Sequence, residues 1–103
     1  MLYLVFSGKI KENKVTEFYE KVAKVSQNAT LQQDKPVVYQ WHKNVHDPRL
    51  FFLNEQWKSV EDLHAHFETL YKIFGAAKPT ERLPAAILEY LDEASVAYYD
   101  PVS

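Results

Sequence analysis

The residues best suited to chemistry in this sequence are Glu55, Trp57 and His66, which fall where an alternating segment gives way to a helical one. An imidazole titrates at about 6.5 and can exchange a proton at neutral pH. A carboxylate beside it can fix its tautomer or pair with it, and an indole supplies a flat apolar wall. Together they could remove a proton from an aromatic small molecule held against that wall. The same residues also fit a packed core. Trp57 would then be a strand-end anchor, His66 a histidine bonded to a carbonyl, and Glu55 half of an ion pair. A carboxylate among Phe51, Leu53 and Trp57 is costly unless partnered.

At roughly 100° per helical residue, His66 and Ile73 take one shoulder of an apolar stripe, and His64 and Tyr71 the other. That places His66 at the boundary between core and cleft, with the Tyr71 hydroxyl about one turn beyond. His64 and His66 diverge by about 200° and cannot share a metal. His42, His46 and Asp47 lie close in sequence but lack a further preorganised ligand, so no metal site is expected. No serine stands in a G-x-S-x-G elbow, and the absence of cysteine excludes a thiol nucleophile, Cys-ligated zinc and disulfides.

These side chains depend on the elements around them. Leu2 to Ile10 alternate as a first strand, with Leu2, Leu4 and Phe6 on one face and Tyr3 and Val5 on the other. From Asn13 the period becomes helical. Val15, Phe18, Tyr19, Val22, Val25 and Ala29 form one stripe, and Asp34-Lys35-Pro36 ends it. Val37 to Lys43 and Arg49 to Trp57 read as an antiparallel hairpin. Ser59 has the place of an N-cap, with Asp62 as its capping-box acid. The second helix follows with Val60, Leu63, Phe67, Leu70 and Phe74 as its stripe and Gly75 as its stop. Pro79-Thr80 opens a shorter helical segment to about Leu91, its start blurred by Pro84, and Ala94 to Val102 forms the last strand.

The order β-α-β-β-α-(α)-β predicts one α+β domain over residues 1–103, ferredoxin-like, with a four-stranded antiparallel sheet and helices on one face. The other face of such a sheet is normally polar. Here Tyr3, Val5, Val38, Phe52 and Tyr99 would lie on it, and apolar patches of that kind mark interfaces. A homodimer with stacked sheets is expected. The hydrophobic share of 47% is ample for a core, and a net charge of −2 with dispersed Lys and Arg offers nothing to nucleic acid or an anionic membrane. Two glycines are too few for phosphate-cradling loops. No apolar run is long enough to span a bilayer and the first residues lack a signal-peptide pattern, so a cytoplasmic location is expected.

The run Phe51-x-Leu53-x-Glu55-x-Trp57-x-Ser59, followed by Leu63-x-x-His66 and a helix ending near Phe74, resembles the antibiotic biosynthesis monooxygenase (ABM) domain. That resemblance implies a dimeric α+β barrel with a pocket between each sheet and its helices. Some members of the family oxidise quinols or aromatic polyketides with molecular oxygen and need no metal, flavin or other cofactor; others degrade heme. By position, His66, Trp57 and Glu55 match the family pattern. For such chemistry His66 could be the base, oriented by Glu55, and Tyr71 could hydrogen-bond a developing oxyanion. Trp57, Leu63, Phe67 and Leu70 would then line a slot for an aromatic or quinol-like ligand. Gln33-Asp34-Lys35-Pro36 departs from the family's Glu-x-Gly, and Tyr71 stands where many members have a second histidine. Heme-degrading members carry a tryptophan in place of His66 and a histidine in place of Ala76, which argues against heme. The rival readings are a non-catalytic ligand-binding or stress-response dimer and a purely structural dimerisation module.

Overall fold

Alternation decides the sheet. In the computed structural model, which describes residues 1–102, Leu4 and Phe6 of β1 (Leu2–Ile10) turn inward and are buried, while Tyr3 and Val5 lie half-buried on the other face. On β3 (Leu50–Trp57), Phe51, Leu53, Glu55 and Trp57 are all buried. With β2 (Val38–Lys43) and β4 (Leu91–Tyr99) these strands form one antiparallel sheet in the order β2-β3-β1-β4. The register sets Leu4 and Tyr39 opposite Glu55, and Val96 and Tyr98 opposite Phe6 and Leu4, all on the inner face. This is the expected α+β architecture. At Gly8 an added Cβ would sit 2.5 Å from the Glu93 carbonyl oxygen and 3.0 Å from the Phe51 ring, so only glycine allows the three strands to close here.

The first helical stretch departs from the regular period. It runs as α1 (Val15–Phe18), a π-helical turn (Tyr19–Ala23) and α2 (Lys24–Gln33). The wider turn absorbs an extra residue and rotates everything after it. The inward positions are therefore Phe18, Val22, Ala23, Ser26 and Thr30; Val25, expected inside, is exposed. Gln27 and Ser26 now face β2, an edge strand. Gln27 Oε1 accepts the Trp41 backbone N–H at 3.1 Å, and Ser26 Oγ accepts the Trp41 indole N–H at 3.0 Å. A potentially sticky edge is thus tied down.

Ser59 caps α3 (Val60–Phe74) as expected, its hydroxyl accepting the Asp62 N–H at 3.1 Å, and Gly75 ends it at φ 93°. The buried face is rolled relative to the expected stripe. Leu63, His66, Thr69 and Leu70 point inward, Phe67 and Phe74 are half-buried, and Val60 is exposed. The segment from Pro79 is not helical. Helix α4 covers only Ala85–Leu88 with Pro84 at its N-cap, where the missing proline N–H costs nothing. The chain is then free earlier than expected, and β4 begins at Leu91, pairing with Ile10 across an irregularity in the register. Among the described residues no helix is long and apolar enough to cross a membrane.

Candidate functional site

β3 delivers Glu55 and Trp57 to the inner face one pleat apart, and the roll of α3 brings His66 down between them and α2. Trp57 is fully buried and its indole N–H donates to Glu55 Oε1 at 2.9 Å. The His66 ring lies 4.8 Å from that of Trp57 and 5.1 Å from that of Tyr39. Its Nε2 is 3.8 Å from Glu55 Oε1, too far for a hydrogen bond. The opposite ring nitrogen, Nδ1, is 3.0 Å from Asp34 Oδ2, and Thr69 Oγ1 donates to Asp34 Oδ1 at 2.9 Å. Asp34 sits immediately past α2, where its N–H still bonds to the Thr30 carbonyl. The π-helical turn therefore helps set this contact, because it fixes which side of α2 meets α3.

Burial governs the protonation of the pair. It pushes Glu55 up to about 7, although the Trp57 N–H bond pulls the other way. Burial also pulls His66 below its ordinary value, opposed by the hydrogen bond to Asp34 and by its charge. Near neutral pH a carboxyl that can hold a proton thus faces an imidazole that resists one.

Beside this closed cluster the inner face opens. A cleft of about 530 Å³ runs over Leu4, Phe6, Val96 and Tyr98 and under Leu63 and Phe67 of α3. Glu55 reaches it from the sheet, while Thr80, Glu81, Arg82 and His64 stand among its lining. An apolar slot with one buried carboxyl at its inner end suits a flat ligand carrying a single acidic hydroxyl.

The expected site residues divide between these two regions. Glu55, Leu63 and Phe67 line the cleft; Trp57 and Leu70 belong to the packed interior. His66, expected at the boundary, is 2% exposed and lies behind Glu55, because α3 rolls further inward than its apolar stripe implied. Tyr71 does not reach the site. Its hydroxyl donates to the Arg82 carbonyl at 2.6 Å, pinning the loop that borders the cleft. Asp34 was missed as a partner of His66: in the sequence it reads as a helix-ending residue before a proline, with no signal of where it points. His42 stacks on Phe52 at 4.3 Å on the outer face, and among the described residues no three His, Asp or Glu side chains gather as a metal-binding group.

A family model, antibiotic biosynthesis monooxygenase, matches residues 1–77. The chain belongs to this family. The matched residues carry β1 to β3 and α3, hence Glu55, Trp57, His66 and Asp34, whereas α4 and β4 fall outside them. Among solved structures, a conserved protein of Methanosarcina mazei superposes with a TM-score of 0.75 at 23% identity, over 95% of this chain and 89% of that one. An antibiotic biosynthesis monooxygenase superposes with a TM-score of 0.73 at 19% identity over the whole of both chains. A candidate ABM protein from Nitrosomonas europaea gives 0.75 at 17% identity, again over both whole chains. At such identities the likeness speaks for the ABM fold alone. Comparison with curated proteins gives no match.

Proposed function

We propose that this ABM protein is a cofactor-independent monooxygenase that oxidises a quinol-like or polycyclic phenolic molecule with O2. The observation that carries the reading is Glu55, a buried carboxyl with its proton affinity raised to about 7, at the inner end of an apolar cleft. The family's name supports the reaction class. Glu55, rather than His66, is the group that meets a ligand. Glu55 accepts the phenol proton, and the electron-rich phenolate passes one electron to O2. The resulting radical and superoxide join through a new C–O bond at a ring carbon. Glu55 returns its proton to the peroxide. Loss of the ring C–H proton with cleavage of the O–O bond then releases water and leaves a quinone carbonyl. One oxygen atom enters the product, the other becomes water, and all four electrons come from the substrate. The apolar walls exclude water from the reacting centre.

Oxygen uptake with a panel of hydroquinones tests this. Glu55→Gln should slow it by roughly 10²–10⁴, the usual worth of a general base. Rates equal to the uncatalysed background in the wild type would leave ligand binding as the function of the cleft.

The active form is proposed to be a homodimer joined through the outer sheet face. Phe52 there is 42% exposed and Tyr99 57%, with Tyr3, Val5 and Val38 half-buried around them. Phe52→Lys should convert the dimer into monomer in sedimentation velocity at micromolar concentration. A wild-type monomer under those conditions would end the dimer reading.

A further inference from the structure

Asp34 is a half-buried acid that the proposed reaction does not use. An ionised carboxylate has only acceptor oxygens, so the 3.0 Å contact from Asp34 Oδ2 requires the proton of neutral His66 to sit on Nδ1. The other oxygen of Asp34 is occupied by the Thr69 hydroxyl, which fixes the carboxylate in place. Nε2 is then a lone pair directed toward Glu55 across 3.8 Å, and it offers that carboxylate no hydrogen bond. Resting on the reading of Glu55 as the base, we infer that Asp34 is a positioning residue: by holding the His66 proton on the side away from the cleft, it denies Glu55 a second donor and so keeps Glu55 basic enough to take the substrate's proton.

The alternative tautomer shows why this matters. A proton on Nε2 would face Glu55 Oε1 across 3.8 Å, and a ring released by Asp34 can close that gap and donate to the atom that already accepts the Trp57 N–H. Two donors on one carboxylate favour its ionised form and weaken it as a base. The other titratable groups near Glu55 do not substitute for this control. Tyr39, from β2, is itself driven well above its usual range, chiefly by burial and then by Glu55. His64, Glu81 and Arg82 stand further out along the cleft, open to solvent.

Nitrogen NMR of 15N-histidine-labelled protein reads the tautomer directly, and carbon NMR of 13C-glutamate-labelled protein reads the Glu55 midpoint. The wild type should show His66 protonated on Nδ1 and Glu55 titrating near 7. Asp34→Leu should move the proton to Nε2 and lower the Glu55 midpoint by roughly one pH unit or more. Asp34→Asn, which keeps an acceptor for Nδ1–H and loses only the charge, should retain the wild-type tautomer. A wild-type His66 protonated on Nε2 overturns the inference without any variant. So does an Asp34→Leu protein whose tautomer changes while Glu55 titrates as before. Failure of hydroquinone oxidation with the NMR results intact would remove the oxidase chemistry and leave this assignment of Asp34 standing.

Discussion

The inner face of this sheet has two halves made from similar residues and treated in opposite ways. On β3, Leu53, Glu55 and Trp57 are sealed under α2 and α3, whereas on β4, Val96 and Tyr98 are 42% and 50% exposed on the same face. The difference lies in the helix above. The roll of α3 spends its inward positions on Leu63, His66, Thr69 and Leu70, and leaves Val60 exposed at the cleft. Coverage of the β3 half and vacancy over the β4 half are two consequences of one helix orientation. A polar cluster that must be dry and a ligand slot that must be open are thereby placed side by side, with Glu55 belonging to both.

If the closed half is structural in its energetics, the largest effect on stability should come from its centre. Trp57→Ala removes a fully buried indole and the N–H bond to Glu55. It should cost about 3–5 kcal/mol, seen as a lower urea midpoint at pH 7. A loss below ~1 kcal/mol would mean that the β3 half is not the tightly packed one.

Glu55 should show the next largest effect, with a sign that depends on pH. Its native value of about 7 lies above the ordinary 4.5, so its contribution is intact below 4.5 and lost as pH rises through 7. Glu55→Gln, which can still accept from Trp57, should therefore be more stable than wild type at pH 8. The gain is at most roughly 3 kcal/mol, from about 1.4 kcal/mol per pH unit. His66 works in the opposite direction: its native value is depressed, so its contribution is present above 6.5 and lost as pH falls through that lower value. In the wild type the two trends offset each other in mildly acid solution. In Glu55→Gln the histidine acts alone, and stability should fall as pH drops below 6.5. Urea titrations from pH 4 to 8 that ran parallel for the two proteins would contradict both assignments.

The closed half was also the less legible in the sequence. Strand alternation and the Ser59 and Gly75 caps are local signals, and they placed β1, β2, β3 and α3 within a residue or two. The inner partners of Glu55 were harder to see. A π-helical turn has no composition of its own, so a regular 3.6 period carried Val25 and Ala29 inward in place of Ser26 and Thr30. His66 looked like a shoulder residue because it is polar, yet contacts from Asp34, Trp57 and Tyr39 make its burial tolerable. Those partners come from three separate elements, and no spacing along the chain reveals them. The open half was misjudged more simply: Pro79-Thr80 resembled a helix start, whereas the bridge between Ala77 and Pro84 and the Tyr71 bond to Arg82 hold that segment as a loop at the cleft.

The smallest effect on stability is expected where the open half is filled. Val96 projects from β4 into the cleft opposite Phe6, so a larger side chain there enters existing space and displaces no packed neighbour. Val96→Trp should leave the urea midpoint unchanged within about 0.5 kcal/mol, the range of substitutions outside a core. The same substitution should abolish oxygen uptake with hydroquinones and any ligand-induced rise in melting temperature, because the indole would occupy the slot that leads to Glu55. Loss of stability comparable to that of Trp57→Ala would show that β4 is packed like β3 and that no open half exists. Unchanged stability with unchanged turnover would place the reaction somewhere other than beneath α3.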